Sequence, residues 1–252
     1  MINTIKEKFK KKYSDLKYSN AINVAASMTN HEAFSDIKNS NYGKAVALCG
    51  AGPTLKQYHP IENTKHFALN RALLNNKVKY DYFIGDDWDG IDFFKDELKN
   101  YNCIKFFGHQ VGVMERQIPE SYRIEAGARR YYTDCYMLNG FDSKFVCDID
   151  KMAIGNMPNI ALSAMQIVLF TNPRTIYLVG CDASKGHFVK PASVSREQEE
   201  RQEKDLAIAV SGDRTISKWL ELKEFAKHFY PDTEIVSINP VGLKGIFKDV
   251  YQ

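Results

Sequence analysis

Polar and small residues recur in this chain directly after apolar runs, where a strand leaves a core. Gly50-Ala51-Gly52-Pro53-Thr54 follows the run 45–49, Asn70-Arg71 ends the run 66–70, Asp86-Asp87-Trp88-Asp89 follows 80–85, and Gly180-Cys181-Asp182 closes 175–180, with His187 shortly beyond. Glycines at such a turn let backbone approach something closely, and a proline at the first helical position gives up an N–H that would be unpaired there anyway. Free amides at a helix start, together with the helix dipole, favour a phosphate, and Thr54 would add a hydroxyl. The pattern is neither G-x-G-x-x-G nor G-x-x-x-x-G-K-[ST], so the dinucleotide and P-loop signatures are absent. A tight strand-to-helix connection with no ligand accounts for it equally well.

The neighbouring strand ends carry further candidates. Asp87 and Asp89 have the D-x-D spacing of carboxylates that hold a divalent metal, but N-capping a helix at 88–99 explains them as well. Asp86 could orient a sugar or ribose hydroxyl. His187 is a candidate proton acceptor, against a loop histidine bonded to its own turn.

These residues need a scaffold that brings strand ends together. The runs 45–49, 66–70, 80–85, 103–107, 175–180 and 234–238 are strand candidates, and helical patterns fall at 88–99, 159–170, 196–210 and 216–230. Alternation of this kind predicts a mostly parallel sheet covered by helices on both faces, a Rossmann-like α/β fold whose ligand crevice lies at the carboxyl ends of the strands. The region 108–150 alternates more like antiparallel strands or an inserted flap. At the N-terminus, Ile2, Ile5, Phe9, Tyr13 and Leu16 recur at helical intervals among lysines. That basic amphipathic helix suits either an anionic membrane surface or simple packing on the domain. The expected organisation is an N-terminal helical extension at 1–43 and one Rossmann-like domain at 44–252, which the resemblance given below implies is nucleotide-sugar-binding.

Composition narrows the classes. The 252 residues are 44% hydrophobic and 26% charged, in the range of ordinary globular proteins. A net charge of +3 makes no case for nucleic-acid binding. Cys49, Cys103, Cys135, Cys147 and Cys181 include no C-x-x-C pair and read as reduced core residues. With no apolar run of membrane-spanning length and no signal-peptide core, the expected location is the cytoplasm.

In order and spacing, "LCGAGPTL", "FALNRAL", "YFIGDD" and "TIYLVGCDASKGHF" resemble bacterial sialyltransferases of glycosyltransferase family 42 and the related MptE-like proteins. The latter include motility-associated flagellin glycosyltransferases and archaeal hydroxymethylpterin pyrophosphokinases. The resemblance covers 44–90 and 157–190, with a looser echo in "EIVSINPVGLKGIF". It implies transfer of a sugar, such as a nonulosonic acid, from a CMP-sugar to a glycan or lipid-linked acceptor with inversion, in polysaccharide biosynthesis. Gly50, Ala51, Gly52, Pro53, Thr54, Asn70, Arg71, Asp86, Gly180 and Asp182 would bind nucleotide, and His187 with Asp182 would be catalytic. Ala51 stands where family 42 has asparagine, and the region around 210–213 lacks that family's histidine base. No cofactor is required, since a CMP-sugar carries one phosphate, though a divalent metal is compatible. The basic N-terminal helix and "GLKGIFKDVYQ" would then hold the enzyme at the inner membrane face. A magnesium- and ATP-dependent pyrophosphokinase and a non-catalytic nucleotide-binding module are the alternatives.

Overall fold

The structure, a computed structural model, describes residues 27–111, 117–134, 143–155, 157–184, 186–189 and 213–252. The helices expected over Ile2 to Leu16 and over 196–210 lie outside the described residues. Eight strands form one sheet: β1 (Ala45–Cys49), β2 (Thr64–Leu69), β3 (Tyr82–Gly85), β4 (Ile104–Gln110), β5 (Arg129–Thr133), β6 (Thr175–Val179), β7 (Glu234–Ile238) and β8 (Lys248–Val250). Their order is β5-β4-β3-β2-β1-β6-β7-β8, and every pairing is parallel. This is the Rossmann-like α/β sheet that the alternating pattern predicts.

Five α-helices are described: α1 (His31–Phe34), α2 (Lys95–Asn100), α3 (Glu120–Glu125), α4 (Ile160–Phe170) and α5 (Asp213–Phe229). The strands read as continuous apolar runs because both of their faces are covered. Val46, Leu48, Phe67, Leu69, Ile84 and Ile176 pack towards α4 and α5. Ala47, Cys49, Ala68, Phe83, Phe107 and Val179 pack on the opposite face, against Leu55, Tyr58, Phe94 and Leu98. In α4 every residue from Leu162 to Phe170 is buried. Burying each large apolar side chain stabilises by roughly 1.5–3 kcal/mol, which outweighs the weak helix propensity of Ile167 and Val168. Asn159 caps the helix by accepting from Leu162 N at 3.1 Å.

Three local expectations are corrected. Residues 129–133, read as antiparallel or as part of a flap, form a parallel strand on β4, and Phe145 and Ile149 extend the core. The alternation there reflects an edge position with one open face rather than antiparallel pairing. After the glycine turn stands a single 3-10 turn, Pro53–Gln57, not an α-helix, and Tyr58 beyond it is extended and buried against β2. The helix expected at 88–99 begins as a 3-10 turn at Asp92–Phe94 and becomes α2 only from Lys95. β8 is a short strand that periodicity did not reveal; three residues are too few to show a pattern.

β5 ends the sheet, and an open edge invites pairing with other chains. Asn30, 1% exposed, occupies it. Its Oδ1 accepts from Tyr132 N at 2.7 Å, and its Nδ2 donates to Tyr132 O at 3.2 Å and to Met152 O at 2.9 Å. One side-chain amide thus stands in for a strand's peptide group. Asn30→Ala leaves the Tyr132 amide without this acceptor and is expected to lower stability by about 1–3 kcal/mol. Urea denaturation checks this through a lower midpoint at unchanged slope.

Candidate active site at the strand-order reversal

Strand order reverses between β1 and β6, and in open α/β sheets the crevice at such a reversal is where ligands bind. Here the two strand ends touch. Gly50 N donates to Val179 O at 2.7 Å and Gly52 N to Gly180 O at 2.8 Å. A Cβ on Gly50 would lie 2.6 Å from Gly180 O, and one on Gly180 would lie 2.5 Å from Gly50 O. Gly180 also sits at φ +60°. Each glycine is required by the other's backbone. The next loop joins in: Gly242 N donates to Asp182 O at 2.7 Å, and a Cβ there would meet Ala183 O at 2.5 Å.

Asp182, 5% exposed, ties the two ends together. Its Oδ2 accepts from Thr54 N at 2.9 Å, and its Oδ1 forms a short hydrogen bond with Thr54 Oγ1. Burial raises its pKa, while the Thr54 bonds work against that rise. The amides of Gly50, Gly52 and Thr54 are therefore bonded within the protein. This corrects the expectation that bare turn amides await a phosphate: the helix that would have exposed them is replaced by a 3-10 turn already capped by Asp182. Asp182 itself, expected to be catalytic, has both carboxylate oxygens engaged with Thr54 and acts here as a brace.

His187 and Arg71 stand beside this brace. Phe188 N donates to Ala51 O at 2.9 Å, folding the loop after Asp182 over the turn. Burial, and then the Arg71 charge, bring His187 down to about 4, with the Ala51 backbone pulling the other way. His187 is thus a neutral imidazole near pH 7. Arg71 is 6% exposed, and its guanidinium lies 5.0 Å from the centre of the Phe93 ring. Arg71 thus places a buried cation at the end of β2, beside the turn.

Beyond β2 the lining becomes acidic and hydroxylic. Asn70 takes φ +45°, and its buried Oδ1 has no hydrogen-bond partner among the described residues. Asp87 accepts from Gly90 N at 2.5 Å. Half-buried Asp86, at the end of β3, is held above the usual carboxylate range by burial and by the charge of Asp87. Among the described residues no group of three His, Cys, Asp or Glu side chains is placed to hold a metal ion.

The fold thus brings Gly50, Ala51, Gly52, Pro53, Thr54, Gly180, Asp182 and His187 to one place, flanked by Asn70 and Arg71 at β2 and Asp86 at β3. Asp89 is exposed at the rim. Gly108, Tyr131 and Gly242 were missed. Each is locally indistinct; Gly108 directly follows the run 103–107 and falls inside β4 only in the structure. A groove of about 540 Å³ lies elsewhere, between residues 27–33 and β5. Its arginines are already paired, Arg129 with Asp36 and Arg123 and Arg130 with Glu120.

No family model matches the sequence, and no curated protein matches it. Solved structures do match in fold. The sialyltransferase CstII from Campylobacter jejuni, in complex with the substrate analogue CMP-3FNeuAc, superposes with a TM-score of 0.50 at 11% identity, over 82% of this chain and 86% of that one. The Maf glycosyltransferase from Magnetospirillum magneticum AMB-1 superposes with a TM-score of 0.53 at 12% identity, over 95% of this chain but 38% of that one. The structural neighbours are therefore those that the sequence motifs resemble, and at this identity the likeness is one of fold.

Two outcomes follow from the site geometry. Gly180→Ala meets both a left-handed φ and a carbonyl in its way, and it should cost more than about 3 kcal/mol in urea denaturation. For His187, the unfolded chain takes up a proton as pH falls through the ordinary histidine value, whereas the folded chain holds out until about 4. Its contribution is therefore present above the unfolded pKa and is lost as pH falls from there towards 4. His187→Gln should narrow the gap between urea midpoints measured at pH 7 and pH 5.

Proposed function

We propose that this protein is a glycosyltransferase that takes its sugar from a CMP-linked donor, in keeping with the sialyltransferase-like motifs and fold. The observation that carries the reading is the strand-order reversal itself, where the β1 and β6 ends meet a buried Arg71 and a neutral His187. The nucleotide lies over the Gly50–Thr54 turn and Gly180, with Asn70 at its side. Arg71, rather than the turn amides, holds the single phosphate. A guanidinium matches phosphate oxygens in geometry and charge, and in a buried setting a charge-assisted hydrogen bond gains strength. As the bond to the sugar breaks, negative charge gathers on that phosphate, and a cation fixed beforehand stabilises it without reorganising.

An acceptor hydroxyl from a glycan or lipid-linked sugar attacks the anomeric carbon from the side opposite the phosphate, so configuration inverts. His187 sits on the phosphate side of this arrangement, beside Arg71. A departing phosphate would raise its pKa and let it donate a hydrogen bond or proton to the leaving group. On this reading the work proceeds at the cytoplasmic face, with the lysine-rich N-terminal sequence drawn to an anionic membrane.

The test is calorimetric titration and thermal shift with CMP, UMP, GMP and ATP, each with and without magnesium. CMP should bind and raise the melting temperature without magnesium. Arg71→Met should weaken CMP binding by about tenfold or more, the equivalent of losing one charged hydrogen bond. Binding of ATP with magnesium in place of CMP, or of no nucleotide at all, would overturn the reading.

A further inference from the structure

The crevice does not end at β2. Adjacent strands lie roughly 5 Å apart, so the carboxyl end of β3 is about 10 Å from that of β1. On the nucleotide reading above, a sugar joined to a phosphate at Arg71 would extend past Asn70 towards Asp86. Behind Asp86 the packing is unusual. Gly108 on β4 carries no side chain, and a Cβ there would lie 2.9 Å from Asp86 Cβ and 2.9 Å from Tyr131 Oη. The missing Cβ lets a carboxylate from β3 and a phenol from β5 face each other across β4. Tyr131 is fully buried, and its hydroxyl has no hydrogen-bond partner among the described residues. An unpartnered buried hydroxyl costs stability, on the order of 1–3 kcal/mol, so its retention against Asp86 calls for a purpose. Asp86 is the partly open member of the pair, and Asp87 beside it is engaged with Gly90.

We propose that Asp86 is the catalytic base of the transfer and that Tyr131 is its positioning residue. The acceptor O–H gives its proton to the Asp86 carboxylate while its oxygen forms a bond to the anomeric carbon. The anomeric carbon–oxygen bond to phosphate breaks, and that electron pair leaves with CMP. Tyr131 turns its hydroxyl towards Asp86 as charge on the carboxylate requires. The role rests on the nucleotide reading above, because it is the phosphate at Arg71 that puts the sugar within reach. Burial and the Asp87 charge, which hold the Asp86 carboxyl above its ordinary range, suit a group that must both take and release a proton.

The experiment uses the full-length protein and CMP-N-acetylneuraminic acid as probe, with water taking the place of the acceptor hydroxyl at the same base, and follows CMP release, with CMP affinity measured separately. Asp86→Ala should lose about a hundredfold or more in CMP release while CMP affinity stays within about twofold, the separation expected when only a proton-transfer group is removed. Added formate, a small carboxylate able to enter the space left behind, should restore part of the rate to Asp86→Ala, which it would not do for a merely structural loss. Tyr131→Phe should lower release by about tenfold at unchanged CMP affinity. Asp86→Asn, of the same shape, guards against a folding artefact and should behave as the alanine variant does but without formate rescue.

Wild-type rates in Asp86→Asn would overturn the assignment. So would a loss in Asp86→Ala that formate leaves untouched and that goes with weakened CMP binding. A wild-type protein that binds CMP but releases none from the probe overturns the base while sparing the nucleotide site. One that does not bind CMP overturns both.

Discussion

The mutual approach of Gly50 and Gly180 governs the rest of the molecule. Where β1 and β6 part, each glycine's missing Cβ is the space filled by the other's carbonyl. Two hydrogen bonds, Gly50 to Val179 and Gly52 to Gly180, lock the strand ends in that contact. Asp182 can then reach Thr54, the loop carrying His187 can fold back onto Ala51, and the β7 loop can close through Gly242. A methyl group at either glycine would separate the strands at the point where strand order reverses. The strand ends stay together because the sheet is drawn tight at this one seam.

That seam explains why the site is organised by side chains rather than by backbone amides. In doubly wound sheets a full helix after the first strand offers its N-terminal amides to an anion. Here one 3-10 turn takes its place, and Asp182 already caps it. The positive charge comes instead from Arg71, one strand over, set in the core against Phe93. Crossing outward from β6 to β3, the lining changes from glycine backbone to imidazole and guanidinium, then to amide and carboxylate.

Most of the scaffold was legible from local pattern. Runs such as 45–49 and 176–179 are apolar without alternation because both faces of a parallel strand are covered, and α4, buried from Leu162 to Phe170, is mostly apolar for the same reason. The region around 129–133 misled because β5 is an edge strand: Arg129, Arg130 and Tyr132 are partly open while Tyr131 and Thr133 are buried. Alternation reports a half-exposed strand and is silent on its direction. The positions of Asn70, Arg71, Asp86 and Asp182 at strand ends could be read as well, since each directly follows an apolar run. Their partners could not be read. Nothing near Tyr131 in sequence announces Asp86, which is brought to it only by β4 lying between them with a glycine at the contact.

The sequence by itself determined the fold class, the strand ends on which polar groups gather, and the presence of glycines where backbone must come close. These depend on periodicity and on the chemistry of single residues, which are local properties. The tertiary structure decided what the glycines come close to, which carboxylates are already engaged, and which buried hydroxyl stands behind Asp86. Those are facts about neighbours far apart in the chain, and they are fixed only when parallel strands set their ends side by side.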